Sequence, residues 1–289
     1  MKTIVHRHLV TTIVVLLSMI ASVSPADAQL LDRIKQAAGI AQRAAPAVIA
    51  ISTEQEIEVG RGIAATIAGY YGVVQDPELT RYVNLVGLAV ASVDPRTDIA
   101  YRFAVLDSDD VNAIAAPGGY VFVTRGALAL MNDEAMLAGV LGHEVGHVNR
   151  RHVVKEIQAR ARTELGLEGI TEQINLTGEE YLEQTIQLGA TALFMGLSRE
   201  DELEADAYGV EVAAGAGYDP NGLTRFLAAL PNAEAERRSL LAKTHPDVDD
   251  RLDGINDAID DLETDDATVT ASDRFHDRSV VETPSSGGR

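Results

Sequence analysis

The hydrophobic and polar positions change period twice along this chain, and the changes outline its architecture. Ile57, Ala64, Ile67 and Tyr71 form an apolar stripe at helical spacing. Thr53 and Glu56 ahead of it fit a capping box. A second helix is predicted from Asp76-Pro77, an N-cap followed by proline at the first helical position, with Leu79, Tyr82, Val83, Val86 and Val90 facing inward. The period then drops to two. Tyr101, Phe103 and Val105 alternate with Arg102, Ala104 and Leu106, and residues 111–115 and 119–124 read as two further strands joined at Pro117-Gly118-Gly119. Helical spacing returns in the apolar run from Glu134 to His152, and again from Ser198, where Ser198 is a good N-cap and Glu200 and Asp201 suit the positive end of the helix dipole. Leu188 to Leu197 is apolar but shorter than the roughly 20 residues that cross a bilayer, so it is read as a buried helix beside the 134–152 helix. The last predicted helix, Arg251 to Leu262, carries Leu252, Ile255, Ile259 and Leu262 on one side. Residues 160–180 mix glycines and charges and read as a surface excursion, with a lid as the other reading. These elements predict an α+β chain, mainly helical, with a small antiparallel sheet.

The chemistry concentrates in the 134–152 helix, at His143-Glu144-Val145-Gly146-His147. Residues i and i+4 share a helix face, with Cβ atoms roughly 5–6 Å apart. Two imidazoles can therefore converge on one cation at the usual Zn–N distance of about 2.0–2.1 Å. Glu144 projects about 100° further round, where it can reach a water at the metal and act as general base. Only seven of 289 residues are histidine. Leu137, Val140, Leu141, Val145 and Val148 bury the segment, and buried histidines without partners are costly. A catalytic zinc usually takes three protein ligands and a water. The metzincin pattern fails, because Arg150 and Val153 stand where Gly and His are needed. Glu202 and Asp206, at i and i+4 of the Ser198 helix, can meet the histidine helix on one face.

HEVGH followed by SREDELEAD resembles metallopeptidase family forty-eight, which includes HtpX, the CAAX prenyl endopeptidases and periplasmic BepA-type proteases. The resemblance implies a zincin-like domain in which Glu202 is the third zinc ligand, alongside His143 and His147, one Zn²⁺ per chain. It also implies that Asp206 supports the ligands from behind or donates a proton. Glu204, between the two, faces another way and is read as a solvated charge. Asn112 to Gly119 resembles the family's NAFAxPGG segment, with Ile114 for Phe, and Thr244-His245-Pro246 before Arg251 resembles its THPxxxxR element. An edge strand beside the metal helix is expected to bind extended substrate by strand addition; an ordinary hairpin turn is the alternative. For His245 three readings stand: a surface residue before proline, a hydrogen-bond donor to an oxyanion, or a latch in the open metal position. Arg251 is a second candidate donor.

Organisation and setting follow from the remaining sequence. Residues 1–28 read as a signal peptide, with Lys2 and Arg7, an apolar core from Leu9 to Val23, and Ala26-Asp27-Ala28 as the cleavage site. Residues 29–51 read as a leader helix, 52–262 as the metalloprotease domain, and 263–289 as a disordered acidic tail. Export to a periplasm is expected, with no membrane span after the signal. The formal net charge of −20 argues against nucleic acid as a partner. The expected activity is hydrolysis of peptide bonds in unfolded or extended envelope polypeptides, outer-membrane proteins among them, in protein quality control. The alternatives are a non-hydrolytic envelope chaperone or assembly factor and a self-inhibited protease.

Overall fold

The computed structural model describes residues 51–93, 96–165, 179–230, 241, 244–245, 248–262 and 268–279. The expected signal peptide lies outside them, as does the leader helix except for Ile51. So does most of the 160–180 segment.

Helix α1 spans Thr53–Tyr71 and α2 Pro77–Ala91. Asp76 caps α2 as expected, its carboxylate accepting from the N–H groups of Glu78 and Leu79. The α1 capping box forms one residue earlier than expected, between Ser52 and Gln55. That shift leaves Glu56 free to be buried, where it pairs with Arg96 and Arg151.

Three strands follow: β1 (Arg102–Leu106), β2 (Ala113–Ala116) and β3 (Tyr120–Thr124). Their order is β1-β3-β2, with β2 antiparallel to β3 but β1 parallel to it. The sheet is therefore mixed, not wholly antiparallel. The tight turn at Pro117-Gly118-Gly119 forces the β2–β3 hairpin, whereas the link from β1 to β2 is long enough to carry β2 past the place β3 then fills. Period-two alternation separates two cores. Phe103, Val105, Ala113, Ala115, Val121 and Val123 face one cluster, and Leu106, Ile114, Ala116 and Phe122 face the other.

After a short α3 (Arg125–Leu130) comes α4, Glu134–Asn149, which is buried from Glu134 through Val148. The expected run to His152 breaks here. Arg151 adopts a left-handed φ of 58°, a common way to end a helix, and α5 begins at His152 (His152–Leu165). Helix α6 is Glu179–Met195 and α7 Arg199–Gly215. Helix α6 packs on α1 and α5 rather than beside α4, bringing only its C-terminal end near the α4 histidines. Helices α8 (Gly222–Ala228) and α9 (Val248–Asp260) pack against α4 and α7 respectively.

The α4–α7 pair positions the site. A Cβ at Gly142 would stand 2.8 Å from the Gly209 carbonyl oxygen, and one at Gly209 would stand 2.7 Å from the His143 nitrogen. Two glycines thus let the backbones touch, so that His143, His147, Glu202 and Asp206 meet across a narrow seam.

The tail, expected to be disordered, forms helix α10 (Ser272–Ser279) over part of its length. Phe275 is buried against Tyr82. Arg274 pairs with Glu134, whose carboxylate also accepts from the Tyr82 and Tyr218 hydroxyls at 2.7 and 2.8 Å. Composition hid this because single contacts, chiefly those of Phe275 and Arg274, hold the helix rather than an apolar stripe.

Candidate metal centre

Helix α4 presents His143 and His147 from adjacent turns, their Nε2 atoms 2.9 Å apart. Helix α7 presents Glu202, with Oε2 3.6 Å from His143 Nε2 and Oε1 3.6 Å from His147 Nε2. His245 enters from the segment before α9. Its Nδ1 lies 2.9 Å from Glu202 Oε2 and 3.3 Å from His143 Nε2. One donor atom from each of these four residues lies within 4.8 Å of the others, and all four are buried. The surface reading of His245 is thereby excluded: it is 6% exposed.

Hydrogen bonds orient the clustered side chains. His143 Nδ1 is 2.8 Å from Asp206 Oδ1, against 3.4 Å from Arg251 Nη2. The guanidinium only donates, so His143 Nδ1–H donates to the Asp206 carboxylate and Nε2 faces the cluster with a lone pair. Asp206 is itself gripped by Arg251, Nε and Nη2 each at 2.7 Å, and Arg251 Nη1 reaches Glu202 Oε2 at 3.3 Å. Arg251 thus spans both carboxylates. Behind His147 stands His152, Nδ1 to Nδ1 at 2.9 Å, and behind that Glu204 Oε2, 3.0 Å from His152 Nε2.

The electrostatics suit a cation. Burial pushes His147 well below the ordinary histidine range and keeps its imidazole neutral. Burial would raise Glu202, but His245, His143 and Arg251 outweigh it and hold the carboxyl below its usual value. Glu202 Oε1 is buried with no hydrogen-bond partner, an arrangement that costs free energy unless something positive is shared with it. Two imidazole lone pairs and an orphaned carboxylate oxygen are of the kind that a divalent cation takes as donors. Glu144 lies alongside. Burial raises its carboxyl against the pull of His245 and His143, and its Oε2 also has no partner.

A small cleft of about 10 Å³ lies beside this cluster, lined by Ala113, Ile114 and Ala115 of β2, by Glu144 and His147, and by Leu193, Leu197, Thr244 and His245. Strand β2 is an edge of the sheet. Thr244 Oγ1 donates to Asn112 Oδ1 at 3.2 Å, and His245 Nε2 is 3.4 Å from the Ala113 carbonyl. The NAFAxPGG-like and THP-like segments therefore meet at the site.

His143, Glu144, His147, Glu202, Asp206, His245 and Arg251, all singled out in the sequence, converge here. His152 and Glu204 were missed. Glu204 does face away from the cluster, as two helical positions from Glu202 require, but it faces His152 rather than only solvent. No sequence signal marked the pair, because the helix was expected to run through His152.

Residues 75–259 match the family description "Peptidase family M48". The beta-barrel assembly-enhancing protease of Escherichia coli is 27% identical over 255 residues, covering 85% of this chain and 51% of that protein. The mitochondrial metalloendopeptidase OMA1 of Schizosaccharomyces pombe is 29% identical over 204 residues, 68% of this chain and 57% of that protein. The metalloprotease YcaL of Escherichia coli is 29% identical over 158 residues, 55% of this chain and 62% of that protein. The chain spans about half the length of the first of these relatives. With the family match running from before α2 to the end of α9, and a buried His/Glu donor set at its centre, the chain belongs to peptidase family M48, a metallopeptidase family.

Proposed function

We propose that this chain is a zinc-dependent endopeptidase in which His143, His147 and Glu202 hold one zinc and Glu144 is the general base. The observation that carries this reading is the convergence of three buried acceptors, one of them orphaned, beside a second buried carboxylate. A zinc ion bound there supplies Lewis acidity and brings the pKa of a water towards about 7. The chain's residues do the rest. Glu144, with its carboxyl raised by burial, takes the proton from the attacking water and passes it to the leaving amide nitrogen. Asp206 fixes the tautomer of His143, and Arg251 fixes Asp206. Strand β2, as a sheet edge, offers backbone groups to an extended peptide.

The substrates inferred are unfolded or extended polypeptides of the bacterial envelope, outer-membrane proteins among them, and the role is quality control. The export signal read in residues 1–28 and a relative named for β-barrel assembly support this setting. Among the described residues no helix is long and apolar enough to cross a membrane.

A second reading is favoured by His245. Its Nδ1 sits among the ligand atoms, and β2 is buried throughout by surrounding residues. This supports a self-inhibited state in which His245 fills the position that substrate needs, rather than an oxyanion donor. A non-hydrolytic assembly factor is the weaker alternative, since a purely structural zinc needs no base at Glu144.

The test is metal content. The purified chain is expected to hold about one zinc, as one three-ligand site requires, and His147→Ala and Glu202→Ala to lose it. Full zinc occupancy in Glu202→Ala would overturn the ligand assignment.

A further inference from the structure

Each neutral imidazole carries one N–H, so the 2.9 Å contact between His147 Nδ1 and His152 Nδ1 has one proton to share. Suppose His152 donates it. His147 must then carry its own proton on Nε2, aimed at His143 Nε2 2.9 Å away. His152 Nε2 would present a bare lone pair to Glu204 Oε2 at 3.0 Å and Asp201 Oδ1 at 3.4 Å, an acceptor facing two acceptors. A doubly protonated His152, whose full burial opposes the charge, gives His147 the same unsuitable tautomer. Suppose instead that His147 donates. His152 Nδ1 accepts, His152 Nε2–H donates to Glu204, and every contact from His147 outward is matched, while the bare Nε2 atoms of His147 and His143 face each other at 2.9 Å, two lone pairs that a shared cation would satisfy.

We propose that His152 and Glu204 form a hydrogen-bond relay that holds His147 as the Nδ1–H tautomer, leaving its Nε2 bare for a divalent cation. Both are positioning residues. The inference rests on the metal reading of the cluster and deepens it. Fold geometry builds the relay: Arg151 in the left-handed region turns the chain at the end of α4, so that the first residue of α5 lies back over His147. His152 has no exposed surface, whereas the Glu204 side chain is 45% exposed. The relay therefore runs from the buried cluster to solvent. His152, Asp201 and Glu204 also lie close enough together to hold a cation of their own. That use would take the His152 Nε2 lone pair and force the proton onto Nδ1, which is the arrangement rejected above.

The experiment has two readouts on the whole chain. In the metal-free protein, the ¹⁵N shifts and couplings of the His147 ring report its tautomer. The wild type is expected to show Nδ1–H. An Nε2–H ring there overturns the proposal, whether or not zinc is later bound. Zinc affinity is then measured by chelator competition. His152→Phe fills the ring volume without nitrogens and is expected to weaken zinc about 10–100-fold. His152→Asn, whose Oδ1 can stand near the lost Nδ1, is expected to recover part of that affinity. Glu204→Gln, half-exposed and safe for folding, is expected to lose a few-fold. Affinity within two-fold of wild type in His152→Phe, no recovery in His152→Asn, or a second zinc equivalent abolished by Glu204→Gln would each overturn it. A wild-type chain that binds no zinc defeats the proposed function instead, and the tautomer measurement still decides the relay.

Discussion

The two histidines of α4 are the same residue type, one turn apart, yet they are supported in opposite ways. His143 meets its carboxylate directly. Asp206 is 1% exposed and clamped by Arg251, and the trio is sealed between α4, α7 and α9. His147 reaches its carboxylate only through His152, and Glu204 at the far end is in contact with water. The first arrangement is rigid and costly to disturb, because removing one partner of a buried charge pair strands the other. The second tolerates change at its outer end. One half of the centre is an anchor, and the other is adjustable.

The largest expected effect breaks that contrast at its anchor. Asp206→Ala leaves the Arg251 guanidinium buried without its main partner and is expected to cost about 3–5 kcal/mol of stability. Glu204→Ala, at a half-exposed site, is expected to change stability by no more than about 1 kcal/mol. Urea unfolding of the metal-free variants measures both, and equal losses would erase the asymmetry. Zinc affinity sharpens the contrast: Asp206→Asn is expected to lose about 10–100-fold, more than Glu204→Gln.

His245 comes next, since it approaches from the anchored side, touching His143 and Glu202 but making no hydrogen bond to His147 among the described residues. If it acts as a latch, His245→Ala raises peptidase activity several-fold; a donor role gives a fall. Unchanged activity rejects both.

The smallest effect concerns the opposite end of α4. Burial would raise the Glu134 carboxyl, but Arg274, Tyr82 and Tyr218 outweigh it and hold it below the usual carboxylate range. A carboxyl lowered on folding stabilises above its unfolded pKa of about 4.3, and that contribution is lost as pH falls through the folded value. Stability should therefore fall less steeply on acidification below about pH 5 in Glu134→Gln than in wild type. Parallel curves would remove α10 as an electrostatic clasp on α4.

The same asymmetry explains what could be read from the chain alone. On the anchored side the pairing of residues follows from helical spacing, since His143 to His147 and Glu202 to Asp206 are i and i+4 pairs, while His245 and Arg251 came from the resemblance of their segment to THPxxxxR. His152 belongs to a different helix from His147, and only the left-handed turn at Arg151 brings it back. No periodicity in the sequence encodes that turn, and arginine is not the residue usually found there. Strand alternation gave the strands and their two faces, but alternation is blind to pairing order, so the parallel β1–β3 pairing was hidden. The α10 helix escaped for a similar reason, since its docking depends on Phe275 and Arg274 meeting partners far away in sequence.

The central claim is that a buried base works beside a metal held by three residues. Glu144→Gln tests it most directly, because it preserves shape and leaves His143, His147 and Glu202 in place. The account predicts that this variant folds, retains about one zinc, and loses cleavage of an unfolded protein such as casein. Wild-type cleavage by zinc-loaded Glu144→Gln would contradict it.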